Sequence, residues 1–410
     1  MRSKTFAHIL SENNGAGPGF DLLRLALAVI ILVGHCSGMS GTGGFMSAVM
    51  QNFLQFVWPV GEHSALFQQI APTVIAVQEN GAVIGLARPF TISHVPMFFA
   101  LSGFLVTGSA FRAKRVLPFL ALRFFRIFPA LLVEVTLSAI IIGAIFSSLS
   151  PSEYYTSPGF WTYFGNIIGI VQLTLPGVQF SGSQINEIVN GNLWTLPAEF
   201  HSYLIAALLM FIGVIFNRAV YSYIFLVVTV VLLVLNTFFD YQVTMARLPG
   251  DVNVYYFFVG SLFYVWRDKI PYSLWLFTPC VVLTYFLIFS TRTVYLYPAL
   301  LVYITVFIGL TSFPKFRLLQ SGDYSYGIYL YGFPIAQALV ATVPALRHNL
   351  LGLATTATIV TGLCAFLSWH LIEKRFLRLR KYFSVQSAKI AEDLHPESFQ
   401  AQYARSRQSA

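Results

Sequence analysis

Charged residues are scarce in this chain. Only 10% of its 410 residues are Asp, Glu, Lys or Arg, and 56% are hydrophobic. Soluble domains average about a quarter charged residues. The scarcity of charge therefore excludes an ordinary soluble domain and is typical of a protein that has lipid as its solvent.

Cysteine is almost absent. The three cysteines lie in or beside apolar runs, and no CxxC pair or Cys/His cluster is present. That pattern excludes a disulfide framework or a zinc site, so no metal is expected. Cys36 directly follows His35, which leaves a thiol nucleophile as the alternative to the usual role of a buried cysteine as a small hydrophobe.

Acidic residues are outnumbered by basic ones, and the net charge is +9. The basic residues sit in short gaps between apolar runs rather than in one patch. This distribution favours membrane topology over nucleic acid as the reason for the charge, and no nucleic-acid partner is expected.

Long apolar runs dominate what is present. A spanning helix needs about 20 mostly apolar residues. We predict an all-α, polytopic membrane protein with about ten transmembrane helices, while the stretches 70–87 and 160–176 are ambiguous. The predicted spans are 22–38, 94–110, 128–148, 194–215, 219–239, 252–266, 272–290, 294–312, 324–343 and 350–371.

The positions of Lys and Arg predict the orientation. If the N-terminus is cytoplasmic and 160–176 does not cross, 20 of the 25 basic residues face the cytoplasm. Only Arg88, Arg247, Arg292 and Arg347 then face outward. This positive-inside bias predicts that both termini are cytoplasmic and that 160–176 is a re-entrant helix, a surface helix or part of an outer cap.

The same pattern predicts one membrane domain. Residues 1–19 form a cytoplasmic N-terminal segment, 20–382 the transmembrane domain, and 383–410 a polar, disordered cytoplasmic tail. No cleavage site follows the first apolar run, so we expect the first helix to remain. Two large outer loops, at about 39–93 and 149–193, are long enough to be functional.

Ionisable residues inside the spans are functional candidates because burying charge in lipid is costly. Those that we single out are Arg24, His35, Glu134 and Glu199. Arg24 and His35 are eleven residues apart, which is three helical turns, so they share one face about 16 Å apart. They are either an interface anchor and a packed histidine, or two ends of one functional path.

The two carboxylates also have two interpretations each. Glu199 follows Pro197 in the first turn of its predicted helix, where the helix dipole favours a carboxylate. It would alternatively reach the depth of His35 and orient the imidazole or hold a sugar hydroxyl. For Glu134 we favour an ion pair with a neighbouring helix.

Three further stretches have candidate residues. In "RFFRIFP", Arg123 and Arg126 share a helical face and suit either a diphosphate or ordinary cytoplasmic charge. In "GDYSYGIYLYGFP", Tyr326 and Tyr329 share a face and form either an aromatic belt or the wall of a ligand path. In "FFALSGFLVTGS", the small residues predict close helix packing.

Together these motifs resemble the acyltransferase-3 family of integral membrane O-acyltransferases. The resemblance covers about residues 18–380, and the motifs occur in the family's order. "FDLLRLALAVIILVGH" is similar to the first-helix pattern, "VPMFFALSGFL" to the second, and "RFFRIFPAL" to the stretch that follows. "NLWTLPAEFHSYL" resembles the form seen among polysaccharide O-acetyltransferases, and "YSYGIYLYGFP" and "HLIEKRF" resemble the last two signatures.

The resemblance implies transfer of an acyl group, expected to be acetyl, from cytoplasmic acyl-CoA. The implied acceptor is a hydroxyl of a cell-surface or exported glycan, or of a lipid-linked glycan, at a bacterial-type inner membrane. We expect catalytic roles for His35 and Glu199. The other expected contacts are Arg24, Arg123 and Arg126 for the donor, and Trp194 and Tyr329 for the substrate.

The chain departs from the family pattern at Gly332, where many members have histidine, and at Arg375, where many have proline. We expect no fused extracytoplasmic SGNH-type hydrolase domain of the kind that some members carry, so the chain would complete the transfer alone or with a separate extracytoplasmic partner. A transporter or flippase of a lipid-linked saccharide is the alternative function, although no repeat symmetry supports it.

Overall fold

The computed structural model describes residues 4–41, 77–79, 82–84, 88–239, 250–289, 293–314 and 321–379. This part of the chain is helical except for one short antiparallel hairpin, β1 (Val77–Glu79) and β2 (Ala82–Ile84). The hairpin falls in the ambiguous stretch 70–87. The predicted tail 383–410 and most of the first outer loop lie outside the described residues.

The connections between neighbouring helices differ in length, and the longest irregular stretch of the described chain lies between Ile168 and Gly191. The helix Val116–Leu137 continues into a π-helical segment, Ser138–Gly143. A 3₁₀ helix, Gly191–Thr195, leads directly into the helix Leu196–Phe211. The α-helices are α1 (Phe6–Glu12), α2 (Phe20–Ser40), α3 (Arg88–Ile92), α4 (His94–Ala113), α5 (Val116–Leu137), α6 (Ala144–Phe146), α7 (Pro151–Thr156), α8 (Pro158–Tyr163), α9 (Leu196–Phe211), α10 (Arg218–Phe238), α11 (Gly250–Val265), α12 (Leu274–Leu287), α13 (Pro298–Leu310), α14 (Ser325–Thr342) and α15 (Leu350–Ser368).

Each predicted span coincides with a helix. Within the described ranges, six helical segments are long and apolar enough to cross a membrane, and α12 and α13 are shorter apolar helices. The total of ten spans stays a prediction. The six segments are Phe20–Ser40, His94–Ala113, Val116–Phe146, Gly191–Phe211, Arg218–Phe238 and Leu350–Leu379.

The ambiguous stretch 160–176 does not contain a spanning helix. The end of α8 and a 3₁₀ turn, Phe164–Ile168, are followed by irregular chain. This is far short of the roughly 20 residues that a span needs. The positive-inside argument, which required this stretch not to cross, is consistent with that geometry.

The packing of α4 against α11 confirms the predicted role of the small residues. A β-carbon on Gly103 would overlap the backbone carbonyl of Phe257, and one on Gly260 would overlap that of Ala100. Glycine at both positions therefore lets the two backbones touch, as small residues do in membrane helix pairs. Thr107 Oγ1 adds a buried hydrogen bond of 2.7 Å to Ser261 Oγ.

A second buried cluster holds α2 against α14 and α15 and so positions both ends of α2. Leu32 and Cys36 of α2 contribute to it together with Phe333 of α14 and Leu353 of α15. Cys36 is fully buried there, which agrees with a packing role rather than a nucleophilic one. A β-carbon on Gly332 would come within 3.0 Å of Leu32 Cδ1, so the packing of α2 against α14 leaves little room at that departure from the family pattern.

Segments predicted to share one side of the membrane lie close together. The Tyr272 amide donates to the carbonyl of Lys4 at 2.6 Å, which docks the N-terminal segment against the α11–α12 connection. At the other end of α2, the Gln184 amide donates to the Met39 carbonyl at 3.0 Å. The sidedness itself, with cytoplasmic termini, stays a prediction.

Candidate active site

A cavity of about 140 Å³ lies between α2, α4, α5, α9 and α14. Its wall brings together residues that are far apart in the sequence but were all proposed to be functional from it. They are Arg24, Arg123, Arg126, Glu199, Tyr326 and Tyr329. The rest of the wall is mostly apolar, with phenylalanine, leucine, valine and isoleucine side chains from α4 and α5.

Two of the three arginines share one carboxylate that the sequence analysis missed. Asp323, just before α14, accepts from Arg126 Nη2 and lies 3.3 Å from Arg24 Nη1. Its other oxygen accepts from the Ser325 hydroxyl at 2.6 Å. Burial disfavours the Asp323 carboxylate, but the charges of Arg126 and Arg24 outweigh this effect and hold its pKa well below the usual value.

Arg123 differs from its two neighbours because no carboxylate within the described residues forms an ion pair with it. Its Nε is buried without a hydrogen-bond partner, and its guanidinium carbon lies 5.9 Å from the centre of the Tyr203 ring. A buried donor without a partner is costly unless a ligand supplies an acceptor. Arg123 is therefore the cation that is available to an anion entering the cavity.

Glu199 faces this same cavity from the first turn of α9. Its carboxylate accepts a hydrogen bond from the Tyr203 hydroxyl, which also lies 3.4 Å from Ser102 Oγ. Pro197 occupies the start of the helix, as predicted. The sequence suggested that Glu199 orients the imidazole of His35. In the structure the imidazole is hydrogen-bonded to Asn192 instead.

His35 is half-buried and lies beyond the wall of the cavity. Its Nε2 is 2.8 Å from Asn192 Oδ1, and its ring meets the Phe333 ring edge-on at 4.9 Å between centroids. The link to the cavity runs through Tyr329, because Asn192 Nδ2 donates to the Tyr329 backbone carbonyl. The structure therefore separates His35 from the arginine cavity by one layer of side chains.

The 3₁₀ helix Gly191–Thr195 forms most of that layer. The hydroxyl of Tyr329 lies 2.6 Å from Thr195 Oγ1 and donates to the Asn192 carbonyl at 3.1 Å. Trp194 is half-buried on the same turn, but it does not line the cavity. Of the two residues predicted to bind substrate, Tyr329 thus lies at the cavity and Trp194 lies beside it.

Glu134 corrects one expectation. Instead of a cation, its Oε1 accepts hydrogen bonds from Ser138 Oγ at 2.7 Å and from Asn190 Nδ2 at 2.8 Å. Hydrogen bonds to neutral groups satisfy this oxygen of the buried carboxyl without a counter-ion. Glu134 therefore belongs to the support of the Asn190–Asn192 turn rather than to an ion pair.

No cluster of three or more His, Cys, Asp or Glu side chains able to hold a metal ion occurs in the described ranges. Around the cavity, Arg24 and Arg126 are paired with Asp323, whereas Arg123 keeps a buried Nε without a hydrogen-bond partner. The chemistry available here is therefore anion binding at one end and proton transfer by an imidazole at the other.

Comparison with known proteins agrees with this arrangement. The acyltransferase-domain model of the acyltransferase-3 family matches residues 18–372. The chain belongs to the acyltransferase-3 family. This acyltransferase is 26% identical to an O-acetyl transferase of Shigella phage Sf6 over 368 residues, which cover 87% of the chain and 95% of that relative.

The acyltransferase is also 28% identical to nodulation protein 10 of Rhizobium leguminosarum bv. viciae over 329 residues, which cover 74% of the chain and 86% of that relative. No solved structure matches it. Of the two function classes that the sequence left open, family membership selects the enzyme over a transporter or flippase.

Proposed function

We propose that this acyltransferase moves an acetyl group from acetyl-CoA to a hydroxyl of a cell-surface or exported glycan, free or lipid-linked. The observation that carries the proposal is the position of the cavity. It has three arginines on its wall, and it ends at Tyr329, whose backbone is linked through Asn192 to His35. The cations proposed to bind the donor and the proposed base thus lie on opposite sides of the layer that contains Asn192 and Tyr329.

The arginine end suits the donor. Acyl-CoA has phosphate groups, and guanidinium groups bind phosphate through charge-assisted, often bidentate, hydrogen bonds. Arg123 has an Nε without a partner, so a phosphate or the thioester carbonyl gives it the acceptor it lacks. Arg24 and Arg126, held by Asp323, line the same wall.

The size of the cavity favours a short acyl group. Ligand pockets for whole cofactors measure about 300–1,000 Å³. The cavity of about 140 Å³ is smaller than that, so we propose that it holds the acyl thioester and part of the pantetheine arm rather than the whole of CoA. Its apolar wall on α4 and α5 suits the acetyl methyl group, and the arginines on the same wall suit the polar groups of the donor.

The proposed chemistry is direct transfer with His35 as general base. An acceptor hydroxyl loses its proton to the imidazole while its oxygen forms a bond to the thioester carbon. The carbon–sulfur bond then breaks, the CoA thiolate leaves, and the imidazolium returns the proton to sulfur. Histidine suits both steps because its ordinary pKa is near neutrality. Glu199 remains the second catalytic candidate, acting on the thioester side of the path.

The proposed sidedness places the Arg24 end of α2 in the cytoplasm and the His35 end toward the outside of a bacterial-type inner membrane. The described loop 149–193 then covers the outer end of α2, where Gln184 contacts Met39. Its solvent-exposed Ser, Asn and Gln side chains suit sugar hydroxyls, so a glycan acceptor is proposed there. An extracytoplasmic partner is an additional proposed component.

The test compares surface glycans from a strain that lacks this chain after complementation with wild type or with His35→Ala. We expect acetyl signals in the glycan NMR spectrum with wild type and none with His35→Ala. His201→Ala is the matched control, because His201 is an exposed histidine on α9 outside the cavity wall. Full acetylation by His35→Ala at normal protein level would overturn the proposed role of His35.

A further inference from the structure

We infer that Asn192 is the positioning residue of the reaction. It holds His35 in the tautomer with the proton on Nε2, so that Nδ1 carries the lone pair that accepts the proton of the acceptor hydroxyl. This inference rests on the proposed function of His35 as general base. It assigns a role to a loop asparagine that neither charge nor hydropathy marks in the sequence.

The orientation of the Asn192 amide follows from its two partners. The backbone carbonyl of Tyr329 can only accept a hydrogen bond, so the Asn192 NH₂ group must face it. The amide oxygen Oδ1 therefore faces His35 Nε2, 2.8 Å away. Because Oδ1 can only accept, the proton of that hydrogen bond must lie on Nε2.

The backbone of Asn192 is fixed as firmly as its side chain. Its amide donates to Asn190 Oδ1 at 3.0 Å, and its carbonyl lies 3.1 Å from the hydroxyl oxygens of Thr195 and Tyr329 and accepts from one of them, while the other proton lies between the two hydroxyls. Asn192 is 3% exposed, so water does not compete with these bonds. Because both its side chain and its backbone are hydrogen-bonded and buried, Asn192 has a fixed position and so fixes the orientation of the imidazole that it contacts.

A second layer fixes Asn190 in turn. Its NH₂ group donates to Glu134 Oε1 at 2.8 Å and to the Leu330 carbonyl at 3.0 Å, which leaves its oxygen for the Asn192 amide. A hydrogen-bonded chain thus runs from Glu134 on α5 through Asn190 and Asn192 to His35 on α2. The hydrogen bond to Asn190 gives the buried carboxyl of Glu134 a structural role although it makes no ion pair.

The positioning role has a direct consequence for the chemistry. With Nε2 occupied as a donor, the acceptor hydroxyl gives its proton to Nδ1, and the same nitrogen returns it to the departing CoA sulfur. The hydrogen bond to Asn192 Oδ1 is kept throughout, and it strengthens when the ring becomes an imidazolium. Removing Asn192 frees the ring to rotate and to exchange tautomers, which misplaces the base.

The test uses the full chain in lipid nanodiscs, with ¹⁵N-labelled histidine and with turnover of acetyl-CoA on the glycan extracted from the deletion strain. The His35 signals are identified by their loss in His35→Gln. We expect a protonated Nε2 and an unprotonated Nδ1 in wild type, and a mixture of tautomers in Asn192→Ala. A wild-type His35 with its proton on Nδ1 would overturn the inference.

Kinetics separate positioning from folding. We expect Asn192→Ala to lower kcat about 100-fold, with KM for acetyl-CoA changed less than about 2-fold, because Asn192 is not on the cavity wall. Asn192→Asp keeps an acceptor oxygen opposite Nε2. We expect the kcat of Asn192→Asp to be about 10-fold higher than that of Asn192→Ala. We also expect the acid limb of its pH–kcat profile to move to higher pH, because the carboxylate favours the imidazolium.

Asn166→Ala is the matched control, because Asn166 is a buried asparagine that also binds backbone groups on both sides, Tyr163 and Gln172, away from His35. It is expected to keep kcat near wild type. A wild-type kcat and tautomer in Asn192→Ala would overturn the inference alone. Full activity in His35→Ala would instead overturn the proposed function beneath it.

Discussion

The two ends of α2 hold their functional side chains by different means. At one end, Arg24 is fixed by charge, since Arg24 and Arg126 share the carboxylate of Asp323. At the other end, the His35 ring is fixed by a hydrogen bond to the side-chain oxygen of Asn192. Within the described residues His35 forms no ion pair. Charge suits the end that is proposed to bind an anionic donor, and an uncharged partner suits the proposed role of the imidazole, which is to gain and lose a proton.

The difference also explains why three arginines coexist on one cavity wall. Asp323 compensates two of them and keeps them in place, while Arg123 has no such partner. The acceptor that Arg123 lacks is the one that a bound anion provides. The comparison therefore predicts separate effects on stability and on donor binding when the charges of this cluster are changed one at a time.

The largest predicted effect on stability is that of Asp323→Asn. Removing the carboxylate leaves Arg126 without its ion-pair partner and Arg24 with only the exposed Asp21. Breaking a buried ion pair typically costs about 3 kcal/mol. We expect the free energy of unfolding in detergent to fall by about that amount. Unchanged stability would show that Asp323 does not hold the arginines together.

The contribution of Asp323 has a defined pH dependence. Its pKa in the folded chain lies below the unfolded value, which is about 4, so its stabilising contribution is complete above that value. We expect the difference in unfolding free energy between wild type and Asp323→Asn to be constant from about pH 7 to pH 5 and to shrink as the pH falls below about 4. A difference that grows on acidification would contradict the ion-pair account.

Arg123→Gln is expected to act on donor binding instead. A hydrogen bond to a charged group contributes about 1.5–3 kcal/mol, so acetyl-CoA should bind about 10- to 100-fold more weakly by calorimetry. The fold should remain as stable as wild type or become more stable, because a buried cation without a counter-ion is removed. Wild-type affinity in Arg123→Gln would remove Arg123 from the donor site.

The smallest effect is expected at the exposed ion pair between Arg218 and Asp268. Arg218 donates to the Asp268 carboxylate at 2.7 Å and 3.1 Å and holds its pKa below the usual value, but both side chains are about 40% exposed. Exposed pairs contribute under about 1 kcal/mol. Asp268→Asn should therefore change stability by less than that, leave transfer unchanged, and serve as the control for Asp323→Asn.

The apolar helical segments and the main charged residues were predictable from the sequence for a physical reason. Hydropathy and the cost of charge in lipid act residue by residue, so Arg24, His35 and Glu199 stand out without knowledge of the fold. Arg123 and Arg126 stand out by helical spacing. All but His35 lie on the cavity wall, and His35 is one layer away.

The supporting residues could not be predicted in the same way. Asn190 and Asn192 look like ordinary residues of a loop or helix cap, and their roles depend on contacts with α2, α5 and α14 that only the fold creates. Asp323 precedes a span, where acids are unremarkable. The one feature of the sequence that distinguishes Asp323 is that it is the acidic residue of the segment 313–323, whose other charged residues, Lys315 and Arg317, are basic.

The central claim is that the acyl group passes from the arginine end to the histidine end, across the membrane. The most direct test uses proteoliposomes of uniform orientation, established with a C-terminal tag, and glycan from the deletion strain enclosed in the lumen. Membrane-impermeant ¹⁴C-acetyl-CoA is added only on the side of the tag. We predict labelled glycan in the lumen with wild type and none with His35→Ala. Labelling only of glycan placed on the same side as the donor would contradict the claim.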